Sequence, residues 1–332
     1  MRLYAAIFLC ALAISACGGR TNRIQERQQQ GLEYGRSAGD FLQRGCFHRA
    51  EDAFKESLKI SQILNDTEGI IKNLLGIGSA RLALGDAEGA QETVGRALAL
   101  LKTNSKNLPS PSGGEGRVRG DNYVVRRDLY ADALSLLGSI LLSRGDLDGA
   151  DAAYREAEGL DRNGNEPDRL AVRLNNSGVL ALRRGDIKNA EKKIFEALSI
   201  VEGTDKSGLR ASVMSNWANI LKVQGKVEQA RGFYEKALEE DRKAGAHFHM
   251  AEVLRELGLL SEKEGKLDDA RGYLLRALGI NRQLSLSSRI MKDLEALVRV
   301  SQALGDTSQA DKYQKEKDEL SSSEPSSEEF CP

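Results

Sequence analysis

A glycine recurs along this chain at a nearly constant interval, and an alanine follows each copy five residues later. The glycines stand at positions 45, 85, 145, 185, 225, 265 and 305, so five intervals are 40 residues and one is 60. The alanines stand at positions 50, 90, 150, 190, 230, 270 and 310. Seven matched pairs in one register predict that the chain is built from repeats of a single structural unit.

Each unit is predicted to be a pair of helices joined by a turn at the glycine. A small residue stands twelve positions before the alanine in six units, Val298 being the exception, and a bulky apolar residue usually follows the alanine by four. Spacings of three, four and seven put these residues on one helix face. Glycine can adopt the left-handed conformation that ends a helix. The residue after it is often aspartate, which can cap the second helix: Asp86, Asp146, Asp186 and Asp306.

The seven pairs are predicted to stack into one all-α solenoid over residues 31–320. A single pair cannot bury its own apolar face, so neighbouring pairs must cover it. Only five prolines and 5% aromatic residues favour helix throughout. The 20 extra residues of the long interval fall in 103–122, which is rich in Pro, Ser and Gly and is predicted to be an inserted loop. The loop could bind a partner, but an inert insertion is favoured. Residues 321–332 are acidic and predicted to be a disordered tail.

The combination of small residue, turn glycine, alanine and bulky apolar residue resembles the tetratricopeptide repeat (TPR). The resemblance implies a right-handed TPR-like α-solenoid. Repeats of about 40 residues are more similar to the kinesin light chain type than to the usual 34-residue form. The aromatic residue that the family places three positions after the small one is present only as Phe41. HEAT-like helix pairs have a similar length but lack this spacing between glycine and alanine.

The first 17 residues are typical of a bacterial lipoprotein leader. The apolar run from Leu3 to Ile14 is too short to span a bilayer comfortably and has the length of a signal-peptide core. Ile14-Ser15-Ala16-Cys17 resembles a lipobox, in which the cysteine is acylated. We therefore expect a signal peptide at 1–16, lipidation of Cys17 and a tether at 17–30. The alternative is an ordinary secretory signal with a chance cysteine.

The remaining cysteines and the histidines indicate no metal site or cofactor. Cys46 and Cys331 lie near opposite ends of an elongated array and are predicted to be unpaired. His247 and His249 are two residues apart, which on a helix directs them about 200° from each other and makes a poor chelate. They are predicted to be surface or capping residues.

Charge and motifs argue against several functions. The 48 basic and 49 acidic residues nearly cancel, so the chain lacks the field that concentrates nucleic acid. It also lacks phosphate-binding loops, dinucleotide fingerprints, HExxH and nucleophile elbows. We expect no enzymatic activity, no nucleic-acid partner and no small-molecule substrate.

The TPR resemblance implies that the first helix of each pair lines a concave groove that binds peptide segments of other proteins. Asparagine amides can hold a peptide backbone because they offer a donor and an acceptor, and basic residues can favour acidic peptides. The alternative is that these residues are solvated or satisfy helix ends. The candidates are Asn175, Asn176, Asn216, Asn219, Arg183, Lys222, Arg255 and Arg299.

These expectations combine into a scaffold of the bacterial cell envelope. The protein would be anchored to a membrane through Cys17, and Gly18, in place of the aspartate that retains lipoproteins at the inner membrane, favours the outer membrane facing the periplasm. Its partners would be envelope proteins, in assembly of pilus, secretion or outer-membrane complexes. The alternative is an adaptor or regulator that recruits peptidoglycan-modifying enzymes.

Overall fold

The structure, a computed structural model, describes residues 2–103, 121–162 and 166–322, and the side chains of 23–103, 127–162 and 166–322. These residues form fourteen α-helices and no strand. The helices are α1 (Arg2–Arg44), α2 (Phe47–Ile63), α3 (Thr67–Leu84), α4 (Ala87–Thr103), α5 (Asp121–Ser143), α6 (Leu147–Arg162), α7 (Pro167–Arg183), α8 (Ile187–Val201), α9 (Ser207–Val223), α10 (Val227–Ala244), α11 (His247–Lys263), α12 (Leu267–Gln283), α13 (Ser287–Ala303) and α14 (Thr307–Ser322).

The predicted solenoid of seven helix pairs is confirmed, and the turn within each pair has the predicted geometry. All seven recurring glycines have positive φ, between 76° and 93°, a conformation that side chains with a Cβ atom rarely adopt. The carboxylates of Asp86, Asp146, Asp186 and Asp306 each accept a hydrogen bond from the backbone N–H three residues later, at 2.8 to 3.1 Å. Each aspartate therefore caps the second helix of its pair.

The recurring small residues are required by the close approach of the two helices in a pair. A Cβ atom on Gly178 would lie 2.5 Å from Cδ1 of Ile194, and one on Gly258 would lie 2.8 Å from Cγ of Leu274. Ile194 and Leu274 are the bulky residues that follow the alanine by four, and both are buried. The glycine thus makes room for the side chain that fills the interior of the pair.

The last turn of each second helix packs on the next pair through residues that differ from one junction to another. Ser61 contacts Asn73, Asp161 contacts Arg173, and Asn281 contacts Asp293, each partner being twelve residues further along. The corresponding residues between α8 and α9 are Val201 and Val213, which are fully buried in one apolar cluster. The stack therefore contains both polar and apolar junctions.

The solenoid winds far enough for its first pair to contact its last pairs. Phe47 packs edge-on against Phe248 with ring centroids 4.9 Å apart, and Nε2 of Gln43 donates to the carbonyl of Ala244 at 2.9 Å. Cys46 and Phe47 share a buried cluster with Leu284 and Leu286, which stand at the turn between α12 and α13. We call this contact between the α1–α2 turn and the turns before α11 and α13 the closure seam.

The closure seam corrects the prediction for the cysteines. Cys46 is fully buried and is disulfide-bonded, so the prediction that it is unpaired was wrong. That prediction assumed that the ends of an elongated array stay apart, whereas the winding brings the first turn against the last two pairs. Cys331 lies outside the described residues.

The predicted boundaries of the leader, the tether, the insertion and the tail fall within helices. α1 is continuous from Arg2 to Arg44, so the division into signal peptide, tether and first repeat stays a prediction. Residues 103, 121 and 122 of the predicted insertion belong to α4 and α5, and 104–120 lie outside the described residues. Residues 321 and 322 of the predicted tail are the last residues of α14, and 323–332 lie outside the described residues. In the described part of the chain, no helix has both the length and the apolar character needed to span a bilayer.

Candidate functional site

A cavity of about 610 Å³ opens between the first helices of the fourth, fifth and sixth pairs. Its walls come from α7, α9 and α11, with tyrosines of α6 and α10 behind them. Seven of the eight predicted groove residues line it: Asn175, Asn176, Arg183, Asn216, Asn219, Lys222 and Arg255. We call this cavity the groove.

Arg299 is the predicted residue that the structure does not bring to the groove. It lies on α13, and its guanidinium pairs with both carboxylate oxygens of Glu262 at 3.2 Å. Because Arg299 is exposed and already bound to Glu262, the ion pair accounts for it without a ligand.

Hydrogen bonds fix the orientation of the asparagine amides in the groove. Nδ2 of Asn216 donates to Oδ1 of Asn175 at 3.0 Å, and Nδ2 of Asn176 donates to Oγ of Ser135 at 2.9 Å. The hydroxyl of Tyr234 donates to Oδ1 of Asn219 at 2.6 Å. Within the described part of the chain, Oδ1 of Asn176 and of Asn216 remain as acceptors without a partner, and Nδ2 of Asn219 remains as a donor. The groove therefore presents acceptors and a donor in fixed positions.

Asn175 has a different role from the one predicted. Its oxygen accepts from Asn216, and its Nδ2 lies 3.5 Å from Oγ of Ser212. The residue is largely buried. It therefore links α7 to α9 and holds Asn216 in place, while Asn216 faces the open space of the groove.

Some charged side chains of the groove are already in ion pairs, and among those that are not, basic residues predominate. Lys222 forms an ion pair with Glu256, and Glu252 is paired with Arg289. Arg183 and Arg255 form no hydrogen bond or ion pair within the described part of the structure. Burial raises the pKa of the nearby Asp293, and the charge of Arg255 opposes that rise without a hydrogen bond between the two. Two guanidinium groups are thus available to carboxylates of a ligand.

One wall of the groove contains a buried ion pair that the sequence analysis missed. Nδ1 of His249 lies 2.7 Å from Oδ2 of Asp241, which is fully buried, and Nε2 lies 3.1 Å from Oγ of Ser215. Burial by itself lowers the pKa of the imidazole, but the hydrogen bond and charge of Asp241 outweigh it, so the pKa of His249 is raised. His249 therefore bonds within the junction of α9, α10 and α11, and the exposed part of its ring lines the groove.

This arrangement is an ion pair at a junction and not an activated nucleophile. The hydroxyl of Ser215 donates to the carbonyl of Ser212 at 3.0 Å, so Ser215 receives a hydrogen bond from the imidazolium. A protonated imidazole has no lone pair with which to accept the proton of a serine. Asp241 occupies the same position in its repeat as Asp161. Asp161 pairs with Arg169, which stands eight residues after it, just as His249 stands eight residues after Asp241. An aspartate that recurs at a position expected to be buried could have indicated this pairing from the sequence.

Comparison with known proteins identifies the repeat. Tetratricopeptide-repeat family models match residues 209–283 and 131–163. The chain is a tetratricopeptide repeat protein. Such TPR proteins are generally non-catalytic scaffolds for protein–protein interaction. No match is found among curated protein sequences.

Several solved structures share the TPR fold at low sequence identity. BtubC (BKLC) from P. vanneervenii is 21% identical, with a TM-score of 0.56 over 73% of this chain and 95% of its own. A Rap protein complexed with competence and sporulation factor is 15% identical, with a TM-score of 0.61 over 90% and 77%. The Rap conjugation gene regulator of plasmid pLS20, in complex with the Phr* peptide, is 13% identical, with a TM-score of 0.61 over 87% and 74%. At these identities the similarity establishes the fold.

Proposed function

We propose that this TPR protein is a lipid-anchored scaffold of the bacterial cell envelope whose groove binds an extended segment of a partner protein. The observation that carries the proposal is the set of fixed amides, because the acceptors of Asn176 and Asn216 and the donor of Asn219 complement the N–H and C=O groups of a peptide. Two neighbours of the same fold are described as peptide or factor complexes, which is consistent with this use of the groove.

The partner segment is proposed to be acidic. Arg183 and Arg255 line the groove without a bound carboxylate, and an arginine can bind a carboxylate through two parallel hydrogen bonds. A segment that offers backbone groups to the asparagines and carboxylates to the arginines would satisfy both features.

The envelope location is proposed from the leader alone. The apolar run and the lipobox-like Ile14-Ser15-Ala16-Cys17 support export and acylation, and the family supports a scaffolding role. We infer that the protein serves in assembly of a pilus, secretion or outer-membrane complex at the periplasmic face of the outer membrane.

In-cell photocrosslinking and fatty-acid labelling test the two parts of this proposal. A photoreactive residue at Val223, which is exposed and lines the groove, should capture a partner in the membrane fraction. The same residue at Leu275, which is exposed on α12 outside the groove, is the matched control and should not capture it. Cys17→Ala should abolish the incorporation of labelled fatty acid into the protein. Equal capture from both positions would refute the groove, unchanged labelling of Cys17→Ala would refute the anchor, and capture of a peptidoglycan hydrolase would favour the recruiting role.

A further inference from the structure

Exposed apolar side chains concentrate at one corner of the molecule. Among the residues whose side chains are described, six large apolar residues are exposed. Three of them, Ile24, Leu32 and Ile63, lie where α1 enters the stack beside the end of α2, with exposed fractions of 45%, 62% and 59%. The other three stand apart on α8, α9 and α12. Half of the exposed apolar residues thus share one small region.

These side chains line two adjoining cavities along α1. One cavity, of about 530 Å³, lies between α1, α2 and α3 and includes Leu32 and Ile60. The other, of about 760 Å³, includes Ile24 and Ile63. Leu64 lines both, so the two form a continuous depression. We call the surface formed by Ile24, Leu32, Ile60, Ile63 and Leu64 the N-terminal apolar cleft.

Arginines flank this cleft. Arg23 and Arg27 line the cavity that contains Ile24, together with Glu26, and Arg36 lines the one that contains Leu32, together with Lys72 and Asp66. Basic side chains therefore outnumber acidic ones in both cavities. None of the three arginines forms an ion pair within the described structure. An apolar helix stripe with a basic flank is the pattern of helices that lie in a membrane interface, where apolar side chains enter the acyl boundary and each arginine gains about 1 kcal/mol from anionic lipids.

The position of the cleft along α1 favours a membrane over another protein. α1 is one helix through residue 17 and on to Arg44, and a helix rises about 1.5 Å per residue. Ile24 therefore lies about 10 Å, and Leu32 about 22 Å, from Cys17 along the helix axis. A helix standing upright on the membrane would lift Leu32 out of the interface, whereas a helix lying along the surface brings Ile24, Leu32 and their arginines to the lipid together.

We propose that the N-terminal apolar cleft docks on an anionic phospholipid membrane, with α1 lying in the plane of the interface. The inference deepens the proposed function, on which it rests: acylation of Cys17 brings the chain to the membrane, and the cleft sets the orientation of the solenoid on it. A second copy of the chain is the competing occupant, and it is less complementary in charge because it presents the same excess of basic residues at this surface.

Vesicle binding of the unlipidated protein tests the docking separately from the anchor. The chain beginning at residue 17 with Cys17→Ser is sedimented with vesicles of pure phosphatidylglycerol or pure phosphatidylcholine. We expect binding to phosphatidylglycerol that weakens with added salt. The triple variant Ile24→Ser/Leu32→Ser/Ile63→Ser should bind at least about ten-fold more weakly, because it removes about 1.4 kcal/mol or more of apolar burial. The matched control Phe195→Ser/Val223→Ser/Leu275→Ser changes the other three exposed residues and should stay within about two-fold.

Three results would overturn the docking proposal. They are the absence of binding to phosphatidylglycerol, equal binding of the two triple variants at equal helical content, and a change in self-association on sedimentation without vesicle binding, which would assign the cleft to a second copy. Labelling of Cys17 by fatty acid in cells is a separate measurement. If labelling fails while vesicle binding persists, the anchor is wrong and the docking surface stands.

Discussion

At the scale of single residues, the repeat uses a few side chains for geometric tasks that can be read directly from the sequence. The turn glycines need positive φ, the aspartates after them cap a helix, and Gly178 leaves room for Ile194. Each task depends on residues close in sequence, so spacing predicts it. Asn175 was predicted to hold a ligand, but its side chain bonds to Asn216 on α9. Spacing within one repeat does not reveal this contact, because α9 belongs to the next repeat.

The buried Asp293 predicts a pH-dependent stability. Burial raises the pKa of its carboxyl from the usual 3.8 to about 6, although the hydrogen bond from Asn281 opposes this. Because the folded protein holds this proton more tightly than the unfolded chain, the contribution of Asp293 to stability is greatest below about pH 4 and falls as pH rises towards 6. Asp293→Asn should therefore raise the free energy of unfolding at pH 7 by about 1 to 3 kcal/mol, and change it little at pH 4.

The hydrogen-bonding groups around Asp293 support the same substitution. Oδ1 of Asn281 and Oδ1 of Asp293 are buried without a partner in the described structure. An amide at residue 293 could donate to Asn281 and still accept from it. Chemical denaturation at pH 4 and pH 7 measures the effect, with Asp311→Asn on the exposed face of α14 as the control. Equal shifts at the two pH values would contradict the role of ionisation.

At the scale of helices, the residues at the junctions differ from one repeat to the next. Arg173 is 4% exposed and bonds to Asp161, whereas Val201 and Val213 form the corresponding junction between α8 and α9. The repeat period predicts that each helix pair packs on the next one. It does not predict which two residues meet at a given junction, because those residues differ from one repeat to another.

Exchanging one junction type for another tests this description. Asp161→Val alone should lower the free energy of unfolding by about 2 to 3 kcal/mol, because Arg173 loses its buried partner and keeps only the half-exposed carboxylate of Asp132. The double variant Asp161→Val/Arg173→Val copies the α8–α9 junction and should recover most of that loss. Denaturant unfolding of the single and double variants gives the coupling between the two sites. A double variant as unstable as the single one would show that the ion pair is required at this junction.

At the scale of the whole molecule, the winding of the stack creates contacts that no single repeat contains. Phe47 meets Phe248, and the guanidinium of Arg289 lies 4.1 Å from the centroid of the Phe248 ring. The same winding buries Cys46. The small rotation from each pair to the next accumulates over seven pairs until the first turn reaches the sixth and seventh pairs.

Removal of Phe47 should open the closure seam while the repeats stay folded. Phe47→Ala should lower the free energy of unfolding by about 3 kcal/mol and, under reducing conditions, increase the radius of gyration in solution scattering. Helical content should stay the same because Phe47 is the first residue of α2 and alanine is a good helix former. Val223→Ala, at an exposed residue of α9, should change stability by less than about 0.5 kcal/mol. An unchanged radius of gyration in reduced Phe47→Ala would show that the seam does not set the winding.

The sequence by itself determined the number of helix pairs, the turn within each pair and the packing of small against bulky residues. These features depend on contacts within about 20 residues, so they repeat with the period and can be counted. It also determined seven of the residues that line the groove, because the first helices of successive repeats lie side by side.

Only the tertiary structure decided which of those residues remain available to a ligand, and which distant parts of the chain meet. The bonds of Asn175, the pairing of His249 with Asp241 and the closure seam all depend on the rotation between successive pairs. That rotation arises from the packing of many side chains at once, and a small angle per pair becomes a large displacement across the solenoid. Local spacing contains no direct measure of it, which is why the buried disulfide at Cys46 contradicted a prediction based on distance along the chain.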